Sequence, residues 1–226
     1  MPMPFPDRHA AGRRLADELQ RFAAHDPIVL ALPRGGVPVA YEVAKRLQAP
    51  LDVLIVRKLG TPTHPEIAMG ALASGGATVL NHEVLQLFHV SEEALRAETA
   101  RAAEELARRA ALYRGDRPAP DVRGRTVLLV DDGLATGATM QVAVEAVRQY
   151  GPARVVVGAP IGAREACELL GRKADEVVCA ETPAAFRAVG LWYRNFEQTT
   201  DREVVELLAA ARREHSLHRP PSRQAG

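Results

Sequence analysis

This chain is short of aromatics, cysteines and net charge, and each shortage excludes something. Its 226 residues carry 29 Lys and Arg against 28 Asp and Glu, a net charge of +1. No global field therefore draws it to duplex nucleic acid or to an anionic membrane, and any anion must be held by local groups. Two cysteines, Cys167 and Cys179, are too few for a disulfide framework or a four-sulfur metal site. One falls in a helix-like stretch and the other in a strand-like one, and both are read as buried apolar thiols in a reducing compartment. The seven histidines show no zincin or finger spacing, so no protein metal cage is expected. No run reaches transmembrane length, and "MPMPFPDRHAAGRRL" at the start has no apolar core of a signal peptide. The expectation is a cytoplasmic protein. G-x-x-x-x-G-K-[ST] is absent, and the first strand is not followed by G-x-G-x-x-G. Those absences argue against a nucleotide triphosphatase of the P-loop kind and against a dinucleotide-binding domain.

What is present is ordinary in bulk, with 47% hydrophobic and 25% charged residues, enough for one large domain. Ala11, Leu15, Leu19 and Phe22 share a face, predicting a helix from about Asp7 to Ala24. "PIVLAL" reads as a buried strand ending in the turn "PRGG". "VPVAYEVAKRL" reads as a helix, and "PLDVLIVRKLG" as a second strand closing on Arg57, Lys58 and a glycine. The Gly-, Pro- and Thr-rich stretch that follows predicts a hairpin or flap around Ser74-Gly75-Gly76. Ser91 then caps a long helix that stops at Gly115. "TVLLV", "ARVVVGAP" and "ADEVVCAETP" are further strands, separated by helices. Alternating strands and helices predict an α/β, doubly wound, mostly parallel sheet flanked by helices. The expected organisation is a single domain over 1–213, with its core at about 27–180, a flap at about 61–90 and a small hood at about 181–200. A disordered tail is expected over 214–226.

The informative stretch is "TVLLVDDGLATGAT", Thr126 to Thr139. Five residues of a buried strand end on Asp131 and Asp132, and a loop of small residues runs from there into a helix. Ligands of parallel sheets bind outside the carboxyl ends of the strands. Three predicted strand ends carry chemistry: Arg34-Gly35-Gly36, Arg57-Lys58, and the Asp131-Asp132 loop. A loop without bulky side chains at a helix N-terminus cradles phosphate. Its N–H groups point inward, Thr136 and Thr139 supply hydroxyls, and Gly133 and Gly137 let the backbone come close. Two acids beside a phosphate need hydroxyl donors or a metal. A sugar phosphate satisfies both halves, its phosphate in the loop and its vicinal diol on the acids.

"VLLVDDGLATGAT" closely resembles the thirteen-residue signature of the type I phosphoribosyltransferases, in the form that has alanine before Thr-Gly. "LPRGG" is similar to that family's pyrophosphate loop, "VRKLG" to the basic end of its next strand, and the stretch from Thr61 to its mobile flap. The whole chain resembles the stand-alone bacterial members. The resemblance implies a glycosyltransferase of nucleotide metabolism that uses 5-phosphoribosyl-1-pyrophosphate (PRPP) with Mg²⁺. The ion would be carried mainly by the substrate pyrophosphate, with no metal ligand set of the protein's own. The resemblance also implies roles for particular residues. Asp131, Asp132 and Arg34 are the expected catalytic residues. Gly35, Gly36, Arg57 and Lys58 bind the pyrophosphate, and Ala135, Thr136, Gly137, Ala138 and Thr139 bind the 5-phosphate. Trp192 or Tyr193 is a candidate to stack on the acceptor base, since Phe186, Trp192, Tyr193 and Phe196 cluster in the hood. A cis Pro33–Arg34 peptide and a homodimer are implied as well. One departure stands out. The hypoxanthine-guanine branch has aspartate at the position of Ala135, and a methyl group cannot take a proton. A general base would come from the flap, with Glu66 a candidate, from the hood, or from the substrate. The alternative is a non-catalytic PRPP or nucleotide sensor.

Overall fold

The computed structural model describes residues 4–218 of the chain. A five-stranded parallel sheet has the order β2-β1-β6-β7-β8, built from β1 (Ile28–Ala31), β2 (Leu51–Val53), β6 (Thr126–Val130), β7 (Arg154–Ile161) and β8 (Glu176–Glu181). A separate antiparallel sheet, β3-β4-β5, comprises β3 (Val56–Gly60), β4 (Ala68–Ala73) and β5 (Thr78–Leu80). All residues of β1 and β6 are buried, which is why these segments read as unbroken apolar runs.

Helices cover both faces of the large sheet. Val29, Ala31, Leu128, Val130 and Val156 face one layer, formed by α1 (Arg8–Leu19), α2 (Gly36–Leu47) and α7 (Asp201–His218). Ile28, Leu30, Val127, Leu129, Val155 and Val157 face the other, formed by α5 (Ala138–Arg148) and α6 (Arg164–Leu170). The fold is thus the expected α/β sheet between two helical layers. Local signals fix the helix ends. Asp7 accepts from the N–H of Ala10 at 2.7 Å to start α1. Ser91 does the same for α4 (Glu92–Arg114), accepting from Ala94 at 3.2 Å. Glu105 on α4 is held by Arg108 and Arg109, whose hydrogen bonds pull its carboxyl down to about 2.

Three expectations need correction. The segment Pro50–Gly60 is two strands, not one. It pairs with β1 as far as Val53, leaves the large sheet, and pairs antiparallel with β4 from Val56 onward. Arg57 and Lys58 therefore lie within the flap sheet, opposite Leu72 and Ala71, and not at the end of a parallel strand. The first helix ends at Leu19 and continues as a 3₁₀ turn, Gln20–His25. At the other end, α7 runs on to His218, so 214–218 are helical; 219–226 lie outside the described residues. The flap also gains a short helix, α3 (His82–Leu87), which Asn81 caps by accepting from Val84.

Strand order places the site. From β1 the chain goes through α2 to β2 on one side, whereas β6 lies on the other side of β1 and leads through α5 to β7. α2 packs on one face of the sheet and α5 on the opposite face. The loops after β1 and β6 consequently diverge and open a crevice between them, the topological switch point of a doubly wound sheet. The register Ala31↔Val130 brings the two strand ends level.

Candidate active site

Both loops at the switch point carry the residues singled out from sequence. After β1 come Pro33, Arg34, Gly35 and Gly36, with a cis peptide between Pro33 and Arg34. After β6 come Asp131 and Asp132. The two loops touch. A methyl group built on Gly35 would lie 2.1 Å from Oδ2 of Asp132, and one on Gly36 would lie 2.9 Å from Cα of Asp131. Only glycine fits against the acid pair, so these glycines serve close approach, not unusual torsion angles; Gly35 is right-handed at φ −60°. The N–H of Gly36 donates to Leu32 at 3.1 Å within the turn, so it is not the free anion donor expected of it. Arg34 is half-buried; its carbonyl accepts from the N–H of Val37 at 3.1 Å, and its guanidinium makes no hydrogen bond or ion pair with any described residue.

The acids differ in their surroundings. Asp131 accepts from the N–H of Asp132 at 2.8 Å. Burial, and then the charge of Asp132, push its carboxyl well above the usual range. Burial also raises Asp132, but there Arg8 opposes the effect. Nε of Arg8 donates to Oδ2 of Asp132 at 2.8 Å, the side chains being only 11% and 15% exposed. The same guanidinium donates to the carbonyl of Glu197 at 2.6 Å and stands 4.0 Å from the centre of the Phe196 ring. Tyr193 stacks on Phe196 at 5.0 Å and donates its hydroxyl to the carbonyl of Asp132 at 2.6 Å. The hood and the start of α1 together grip Asp132.

Beyond the acids, Leu134 anchors the loop. Its N–H donates to Ile161, and its carbonyl accepts from Ala163. Gly133 leaves room for Val189, whose Cγ1 would lie 2.5 Å from an added methyl. Gly137, at φ +71°, turns the chain into α5. Ala135, Thr136, Ala138 and Thr139 are exposed. Oγ1 of Thr136 accepts from the N–H of Ala138 at 3.3 Å. The N–H groups of Thr136, Gly137, Thr139 and Met140 meet no acceptor among the described residues. A row of unclaimed amides at the N-terminus of an eleven-residue helix is a ready anion site.

The remaining candidates lie elsewhere. Arg57 and Lys58 line a flap groove of about 460 Å³ with Pro62, Pro65 and Arg101, and neither forms a hydrogen bond or ion pair with the acid pair. Glu66 stands on the flap, 3.4 Å from His64. Trp192 is half-buried in the hood against the cluster of Ala11, Ile161 and Tyr193. Among the described residues, no group of three or more metal-binding side chains occurs. None of their helices is long and apolar enough to cross a membrane.

Sequence reasoning missed Arg8, and read Tyr193 as a hood aromatic able to stack on a base, not as a donor to the carbonyl of Asp132. Arg8 and Asp132 are 124 residues apart, so no local spacing links them. One signal was present: an arginine at the first position of a helix, where the dipole disfavours a cation, needs an outside partner.

The model of the phosphoribosyl transferase domain matches residues 6–191, from the start of α1 to the hood. The chain belongs to that family. It is 49% identical over 210 residues, 93% of its length, to a Mycobacterium tuberculosis protein named "Putative phosphoribosyl transferase Rv0571c". It spans only 47% of that relative. A solved structure, TT1426 from Thermus thermophilus, is 46% identical, with a TM-score of 0.82, covering 92% of this chain and 99% of that one. A shorter likeness, 42% identical over 64 residues, links the chain to the ribose-phosphate pyrophosphokinase of Pyrococcus furiosus, of which it covers 23%.

Proposed function

We propose that the protein transfers a 5-phosphoribosyl group from PRPP, taken with Mg²⁺, to a nitrogenous base and releases pyrophosphate. The observation that carries this reading is the shared wall of the crevice. Unclaimed amides of the Thr136–Met140 turn follow the Asp131–Asp132 pair, and the loop after β1 that carries Arg34 touches that pair through Gly35 and Gly36. The amides and the dipole of α5 hold the 5-phosphate. The acids accept from the ribose diol. The guanidinium of Arg34, with no partner of its own, meets the pyrophosphate as it leaves, and a donor of that kind is worth about 3 kcal/mol of barrier. Arg57 and Lys58 reach the same leaving group only if the flap sheet closes over the crevice.

The donor set fits Mg²⁺ in a limited way. The ion seeks six hard oxygen ligands. Asp131 is the one acid of the pair without a cation partner, because Asp132 is taken by Arg8. The chain thus offers one carboxylate, and substrate oxygens and water supply the rest. When bound, the ion neutralises the charge that develops on the pyrophosphate.

The second reading, a PRPP or nucleotide sensor without turnover, draws on Ala135, which cannot act as a base, and on the ion pair already formed at Asp132. A panel of bases incubated with PRPP and Mg²⁺, following pyrophosphate release, decides between them. Release with one base supports transfer and names the acceptor. Tight PRPP binding without release for any base supports the sensor, and absence of binding removes both.

A further inference from the structure

Cys167 on α6 and Cys179 on β8 come together on the far side of the phosphate loop. Their sulfurs lie 2.7 Å apart. Each thiol is half-buried and free. Neither belongs to the crevice, and the two thiols, read from sequence as buried apolar groups on a helix and a strand, form a contacting pair. Gly162 makes room for both: a methyl group there would lie 2.6 Å from one sulfur and 2.9 Å from the other. Gly162 in turn forms a bridge with Leu134, the anchor of the phosphate loop. On the same side, Leu170 and Ala166 of α6 pack against Gly137, at 3.2 and 3.5 Å from an added methyl. The pair therefore sits in the wall that backs the loop.

We propose that Cys167 and Cys179 form a redox-active pair that closes to an intramolecular disulfide, stapling α6 to β8 behind the phosphate loop, with a low-molecular-weight disulfide as oxidant. The two thiols share one hydrogen bond in which either sulfur can donate, and the accepting sulfur, taken as Cys167, is favoured as the thiolate that attacks first. It attacks one sulfur of the oxidant, expelling one thiolate and leaving a mixed disulfide. Cys179 then loses its proton, attacks the Cys167 sulfur and expels the second thiolate. Two protein thiols lose two electrons, and one small disulfide becomes two thiols. The sulfurs already touch, so closure asks little of the backbone, and the bond acts as a staple more than as a switch.

The test uses the native full chain, treated with glutathione disulfide. The intact mass should fall by about 2 Da and both thiols should stop reacting with iodoacetamide. The thermal midpoint should rise by roughly 5 to 10 °C, returning on reduction with dithiothreitol. Binding of ribose 5-phosphate should change less than about twofold, given how little closure moves the loop. C179S should stop at the mixed disulfide on Cys167. A native chain that keeps both thiols free, retains the glutathione adduct or forms covalent dimers overturns the pairing. A tenfold loss of ribose 5-phosphate binding with the bond in place overturns the staple. Both outcomes are independent of whether the crevice transfers phosphoribosyl groups.

Discussion

Replacing Arg8 with alanine should unsettle the acid pair from outside the signature motif. Three contacts go: the 2.8 Å charge-assisted bond to Asp132, the 2.6 Å bond to the Glu197 carbonyl, and the face of Phe196 at 4.0 Å. A hydrogen bond to a charged group contributes about 1.5 to 3 kcal/mol. Stacking over an aromatic ring contributes about 0.5 to 1 kcal/mol more. With the side chains 11% and 15% exposed, solvent screens the pair little, and a loss of about 3 kcal/mol is expected. At roughly 2 to 4 °C per kcal/mol for a chain of this size, the thermal midpoint should drop by roughly 6 to 12 °C. Arg8→Lys should recover less than half, since an ammonium cannot fork to Asp132 and Glu197 as a guanidinium does. Urea unfolding followed by the fluorescence of Trp192, the sole tryptophan, is a direct assay, because that residue lies in the hood beside the contact. The informative quantity is the coupling with Asp132→Asn in a double-mutant cycle, about 2 kcal/mol if the pair acts as drawn. A coupling below about 0.5 kcal/mol refutes the idea that Arg8 holds Asp132.

Three further outcomes follow from single contacts. Asp131→Asn should stabilise the unliganded protein at neutral pH by on the order of 1 kcal/mol while weakening ribose 5-phosphate binding. The sign comes from the raised carboxyl: between the ordinary aspartate value and the folded one the native state holds the extra proton, so wild-type stability falls as pH rises through that window and then levels off. The variant lacks that fall, and unfolding curves across pH should converge in acid and separate near neutrality; a variant less stable at pH 7 contradicts the assignment. Gly35→Ala drives a methyl to 2.1 Å from Oδ2 of Asp132 at ordinary torsion angles, so about a tenfold loss of ligand affinity should come with about 1 to 3 kcal/mol of overpacking, read by calorimetry and by unfolding. Arg114→Met breaks a pair in which Nε sits 3.0 and 2.9 Å from the two Asp52 oxygens, tying α4 to β2, and should cost about 3 kcal/mol in urea unfolding.

How far the sequence carried can be read from particular residues. β1, β6 and β7 were legible because full burial on two faces leaves an unbroken apolar run. Ser91 and Gly115 were legible as helix ends because capping is local chemistry. The Asp131–Thr139 loop was legible because strand, acids and turn lie consecutively. Arg57 and Lys58 were misplaced because "VLIV", Val53 to Val56, is an unbroken apolar run, and nothing in its composition marks the point after Val53 where the chain changes sheets. The grip of Arg8 and Tyr193 on Asp132 spans 124 and 61 residues, and the contact of Cys167 with Cys179 joins a helix to a strand. Such pairings belong to the packed fold and leave no periodic trace.

The most direct test of the central claim is a crystal structure of the protein grown with PRPP and Mg²⁺. The account predicts the 5-phosphate within hydrogen-bond reach of the Thr136, Gly137 and Thr139 amides, the ribose diol on Asp131 and Asp132, and the pyrophosphate facing Arg34. Ligand bound elsewhere, with the turn at the head of α5 left bare, would contradict it.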